Sequence, residues 1–191
     1  MPLITTLANA SARGYGGLLA AAGGGPSYES IATVTVGSGG QSTISFSSIP
    51  ATYKHLQVRW IARSANSSGG DTLLMSINSG SADRTHALIG NGSATGSEPY
   101  TLSYFGNMSA GTSPANAFGA GVADILDYTD TNKNRVGRSL SGHDNNGSGG
   151  EIFMHSWLKA STTAISSITF TIASSANFDQ YSNFALYGVR G

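Results

Sequence analysis

The sequence predicts an all-β protein, an antiparallel β-sandwich of jelly-roll type carrying an extended N-terminal arm. Three observations point there. Apolar and polar residues alternate with a period of two, most cleanly over residues 53–63, where Leu56, Val58, Trp60 and Ala62 share one face and His55, Gln57, Arg59 and Arg63 the other. About ten such stretches are separated by clusters of Gly, Ser and Asn, residues that turn a chain. No stretch carries a convincing helical period and no internal repeat is visible, which favours two packed sheets over blades, a solenoid or a barrel.

Residues 1–26 differ from the rest and read as an anchoring arm with a Gly-rich linker. Leu3, Ile4 and Leu7 make one apolar turn, Arg13 and Tyr15 lie among small residues, and Leu18 opens a Leu-Ala run that ends in Gly23-Gly24-Gly25. The basic start and long apolar run of a secretory signal are missing, and nothing here is long enough to insert in a membrane. A segment this short and glycine-rich holds no core of its own, so it is expected to become ordered on a partner. Leu3, Ile4, Leu7, Arg13, Tyr15 and Leu18 are the expected anchors, because aliphatic, aromatic and guanidinium groups concentrate contact energy.

The body, 27–191, follows. Residues 31–36 and 42–47 alternate on either side of Gly37-Ser38-Gly39-Gly40 and read as a hairpin. After Pro50 comes the strand at 53–63, then one in which Leu73, Met75 and Ile77 point one way, then a short strand at 84–89 bounded by glycines. Within 93–117 a single strand is expected through Tyr100, Leu102 and Tyr104, followed by a small-residue loop suited to variable contacts. Residues 120–128 and 135–142 form a second hairpin across the turn formers of 129–134. In the next strand Phe153, His155 and Trp157 lie opposite Ile152, Met154 and Leu158, so burial on both faces is expected. Ile168, Phe170 and Ile172 mark the penultimate strand. The last, at 183–190, is expected to dock beside 53–63, since a terminal strand left unpaired would fray.

Composition narrows the function. A chain of 191 residues is one domain with an extension, and the absence of cysteine excludes disulfides and thiolate metal sites. Ten basic and ten acidic side chains cancel and only 10% of residues are charged, against about 25% in an average globular domain, so there is no basic footprint for nucleic acid. A coat of Ser, Thr, Asn and Gly packs against copies of itself at low desolvation cost, and a homo-oligomer is expected.

No familiar catalytic spacing occurs: no Gly-x-Ser-x-Gly, no phosphate-cradling Gly-x-x-x-x-Gly-Lys, no Gly-x-Gly-x-x-Gly and no His-Glu-x-x-His. His55, His86, His143 and His155 are isolated from one another and read as sheet or loop residues rather than ligands or bases. Asp124 and Asp127 face opposite sides of a strand. Asp127, Asp130 and Asn132 are able to converge at the turn, but an Asx turn accounts for them more simply than calcium does. No catalytic residue, cofactor or metal is therefore expected. Tyr100, Tyr104 and Phe105, near polar loops, are candidates for stacking on sugar rings. Five Asn-x-Ser sequons, starting at Asn9, Asn66, Asn91, Asn107 and Asn146, follow from the composition rather than from glycan attachment.

Several motifs together resemble a group of small virion proteins of tailed bacteriophages, common among phages of cyanobacteria and other aquatic bacteria. They are Ser11-Ala12-Arg13-Gly14-Tyr15-Gly16, Tyr28-Glu29-Ser30-Ile31-Ala32, the run from Phe46 through Ile49-Pro50 to Tyr53-Lys54-His55-Leu56-Gln57-Val58-Arg59, Asp124-Ile125-Leu126-Asp127-Tyr128, and Phe184-Ala185-Leu186-Tyr187-Gly188-Val189. The likeness spans nearly the whole chain and its motifs are structural. It implies a virion component of tail-fibre or decoration type, assembled in the host cytoplasm, in which the arm fastens a β-sandwich to a tail or baseplate adaptor or to the capsid. A trimer is the expected oligomer. A capsid decoration protein and a host-glycan receptor module are the alternatives.

Overall fold

The computed structural model describes residues 27–91, 95–100, 103–145 and 149–191, with the backbone alone at 95 and 97–100. The arm, and with it Leu3, Ile4, Leu7, Arg13, Tyr15 and Leu18, lies outside the described residues, as does Leu102. Among those described, regular structure is entirely β. The strands are β1 (Tyr28–Thr35), β2 (Ile44–Phe46), β3 (His55–Ala62), β4 (Gly70–Ile77), β5 (Gly80–Ser81), β6 (Arg84–Gly90) and β7 (Thr95–Tyr100). They continue as β8 (Tyr104–Ser109), β9 (Gly119–Leu126), β10 (Arg135–Asp144), β11 (Gly150–Lys159), β12 (Ile168–Ile172) and β13 (Asn183–Val189).

Two antiparallel sheets result. The larger runs β1-β13-β3-β9-β10-β11-β6-β7 and the smaller β2-β12-β4, with β8 and the short β5 sharing the far edge of β4. As the period-two pattern requires, Leu56, Val58, Trp60 and Ala62 are buried on the inner face of β3, and Leu73, Met75 and Ile77 on that of β4. The last strand lies against β3 along its whole length, Asn183 opposite Ile61 and Val189 opposite His55.

Aromatic rings fill the space between the sheets. Trp60 and Phe184 from the larger sheet meet Phe105, Phe170 and Phe46 from the smaller, with centroids 5.3 Å apart for Trp60–Phe105, 5.2 Å for Phe105–Phe170 and 5.4 Å for Phe170–Phe184. Two glycines make room for Trp60. A Cβ at Gly121, its cross-strand neighbour, would lie 2.0 Å from the indole, and one at Gly106 on β8 would lie 2.4 Å away. Trp157 repeats the device with Gly137 opposite it on β10.

The larger sheet curls past β4 and β8, and two serines close the exposed side of β8. Ser139 on β10 donates to the Phe105 carbonyl, and the Asn107 amide donates to the Ser141 hydroxyl at 3.0 Å. An edge strand is thereby satisfied by side chains rather than by another strand.

Four expectations need correcting. The stretches 31–36 and 42–47 do not form a hairpin: β1 pairs with β13 and β2 with β12, because Val36 and the pair Ile44 and Phe46 enter one core from opposite sheets. The single strand expected through Tyr100 and Tyr104 is two, β7 pairing with β6 and β8 with β4. β11 is buried on one face only, with Ile152 and Met154 exposed. Arg63, expected on the solvent face, is buried past the end of β3, where its guanidinium donates to the carbonyls of Gly111, Ser113, Pro114 and Ala117 and pairs with Asp179 at 3.2 Å.

Arg135 does the same at the start of β10. It is buried and donates to the carbonyls of Asp127, Asp130, Lys133, Thr162 and Thr163, tying the 127–134 turn to the segment before β12. A planar fork with five N–H groups suits such convergent carbonyls.

These contacts set expected stabilities, measurable by urea unfolding. Gly121→Ala overpacks against Trp60 and is expected to cost about 1–3 kcal/mol. Arg135→Met strands five carbonyls and is expected to cost about 3–5 kcal/mol. Gly37→Ala, where a Cβ meets nothing within 4 Å, is expected to change stability by less than ~0.5 kcal/mol.

Candidate functional site

Two surfaces combine chemistry that the core does not need. The first crosses the outer face of the larger sheet. Antiparallel register puts Tyr187, Gln57, Asp124 and Arg138 side by side on β13, β3, β9 and β10. Gln57 is the hinge of this row: its amide nitrogen donates to Asp124 Oδ1 at 2.9 Å while its oxygen accepts from Arg59 Nε at 2.7 Å. The Arg59 guanidinium lies over the rings of Tyr187 and Tyr28, 4.9 and 5.5 Å from their centroids. At the other end Arg138 Nε stands 3.6 Å from Asp124 Oδ2. Every charge in the row has a partner, so the row stiffens the face more than it offers a free ionic group.

The second surface is an open groove of ≈ 440 Å³ at the end of the molecule where β10 and β11 turn over β4 and β8. Asn107 comes from β8, His143 from β10, Glu151 from β11, and Asn91 and Asn145 from the loops beside them. Phe118, half-buried before β9, lines the adjoining trough with His143 and Glu151. Carboxamides, a carboxylate and an aromatic ring are groups that bind a neutral, hydroxyl-rich ligand.

Behind the groove runs a stack of three rings. His143 and Phe153 are 6.2 Å apart and Phe153 and His155 5.7 Å, with ring planes nearly parallel in each case. Burial alone pushes His155 down to about 4. Burial also lowers His143, against the opposing pull of Glu151 and Asp144. Nδ1 of each ring is buried without a hydrogen-bond partner. Burial holds both rings toward the neutral form.

The three aromatics expected to stack on sugars do not form a platform. Phe105 is fully buried between Trp60 and Phe170, which removes it from any surface role. Tyr104 opens β8 opposite Leu74 and is half-buried, while Tyr100 ends β7 in the other sheet opposite Thr85. The acidic turn is held by lysines. Asp127 pairs with Lys54 at 3.0 Å and Lys133 at 3.1 Å, which hold its carboxyl down to about 2, and Asp130 takes the Asn132 amide in an Asx turn. Asn107 and Glu151 were not legible as site residues in the sequence, because four distant stretches supply the groove. Gln57 and Arg59 were visible as outward residues of an alternating strand, though not their partners.

The His155 environment makes stability depend on pH. The unfolded side chain titrates near 6.5 and the folded one about 4, so the contribution is complete above about pH 6.5 and is lost as pH falls toward about 4, then stays flat. The loss is expected to be about 3 kcal/mol. His155→Phe, which keeps a ring on Phe153, is expected to flatten urea-unfolding free energies over that window, and an unchanged slope would contradict the assignment.

Comparison of the chain with protein-family models, with curated proteins and with solved structures found no match in any of the three.

Proposed function

We propose that this chain is a structural component of a tailed-phage virion, a short tail fibre or a tail- or baseplate-associated appendage held through residues 1–26. The observation that carries the reading is the distribution of exposed apolar side chains. Of the large ones among the described residues, Tyr28, Ile61, Leu88, Leu126, Val136, Leu140, Ile152 and Met154 all belong to the outer face of one sheet, and Tyr181 alone lies elsewhere. A face like that suits a building block of an assembly. The motif resemblance, the low charge and the arm support the same reading.

The body is read as a jelly roll. Setting aside β5–β7 and β10–β11, the remaining strands run β1-β13-β3-β9 in one sheet and β2-β12-β4-β8 in the other, the order of two interleaved Greek keys. Of the strands set aside, β10, β11, β6 and β7 then extend the first sheet beyond β9, while β5 pairs with β4 in the second. That fold hosts capsid and lectin domains alike, so it supports the assembly role only as analogy.

Deleting residues 1–22 is expected to abolish incorporation into particles while the body stays folded, and incorporation at the wild-type level would refute attachment through the arm. Copy number separates the capsid decoration alternative, which predicts abundance near that of the major capsid protein. The groove favours a second reading, a glycan-receptor module. Binding on a glycan array that is lost in both Asn107→Ala and Glu151→Ala would support it, and no binding to any glycan would end it.

A further inference from the structure

We infer that two copies of this chain pair face to face through the outer surface of β3, β9, β10, β11 and β6. Antiparallel register lays the apolar residues of this surface in two neighbouring rows. One runs Leu88, Met154, Leu140, Val122 across β6, β11, β10 and β9, and the other runs Gly90, Ile152, Gly142, Ala120, Ile61 and extends to β3. Ile152 is 64% exposed, Ile61 55%, Leu88 52%, Met154 51% and Leu140 48%. A trough of ≈ 620 Å³ lies along Leu88, Leu140, Ile152 and Met154. The small residues between the larger ones leave holes into which side chains from an opposing sheet fit.

The area argues for a protein occupant. Five large side chains, each about half exposed, present on the order of 500 Å² of apolar surface, at the upper end of what a monomer leaves bare, ~300–600 Å². Val122, Ala120 and the rim bring the footprint towards the ~800 Å² per partner of a standard interface.

The partner follows from what else the molecule offers. A ring of three copies, the oligomer expected from the sequence, would press this face against a different surface of its neighbour. Among the described residues the large exposed apolar side chains away from these rows are Tyr28 on β1, the Leu126–Val136 pair and Tyr181, which are scattered and build no complement of comparable size. The surface that matches the face is the face itself, and an isologous contact about a two-fold axis is the arrangement that uses it. Charge does not oppose this: the formal net charge is zero, and Arg138 and Asp124 at the rim are already paired with each other.

The inference rests on reading the face as an assembly surface, but its test uses the isolated full-length chain rather than particles, so the two fail separately. Sedimentation equilibrium of wild type is expected to give a dimer. Leu140→Glu with Met154→Glu, both on exposed positions, is expected to weaken dimerisation on the order of 100-fold or more while circular dichroism at about 25 °C shows the same β fold. Tyr181→Glu is the control and is expected to leave the dimer intact. A chain lacking residues 1–22 is expected to dimerise like wild type; loss of the dimer there would assign the contact to the arm and overturn the inference. So would a wild-type monomer at ~100 μM, a trimer, dissociation by Tyr181→Glu, or a dimer indifferent to the paired glutamates.

Discussion

The contact on which the rest of the molecule depends is the run of rings from Trp60 through Phe105 and Phe170 to Phe184, because it leaves the larger sheet, crosses two strands of the smaller and returns, and so fixes how the two sheets face each other. An indole in so tight a space constrains its neighbours. Gly121 and Gly106 are the spaces Trp60 requires, and each is a position where a larger side chain would push the sheets apart. Since side chains alternate across a strand, fixing the inner face of β3 and β9 also fixes which residues face outward. Gln57, Arg59 and Asp124 are joined on the outer face as a consequence of what Trp60 and Ala123 do inside.

Loops with almost no apolar content are held by a different means. Arg63 and Arg135 each gather carbonyls from segments that would otherwise run loose over the surface. A buried guanidinium is costly unless its donors are used, and here they are used on backbone rather than mainly on carboxylates. Such a net gives a chain with few charged residues well-defined ends to its strands. It also forms one wall of the groove region, since the loop that Arg63 holds leads directly to Phe118 and β9.

The extension of the larger sheet by β10, β11, β6 and β7 links fold to function. Its inner face closes over β8 with Ser139, Ser141 and the His143–Phe153–His155 stack, and none of the described residues covers its outer face. A strand buried on one side and apolar on both is an unusual sequence to leave in solvent. That mismatch is the physical basis for reading the face as an interface.

Strand identity was legible in the residues themselves: the alternation at 53–63, the hairpin across 129–134 and the existence of a strand at 183–190 follow from local period and turn chemistry. Local pattern carries no information about which sheet a strand joins. For that reason 31–36 and 42–47 looked like a hairpin when they belong to opposite layers, and Phe105 looked like a surface ring when it lies at the centre of the core. Period two in β11 stated that two faces were apolar, while only the packing of the sheets decided that one of them, bearing Ile152 and Met154, would stay uncovered. The groove was beyond reach for the same reason, as Asn107, His143 and Glu151 meet only once three strands are stacked, and side-chain proximity across such distances is a property of the assembled sheets.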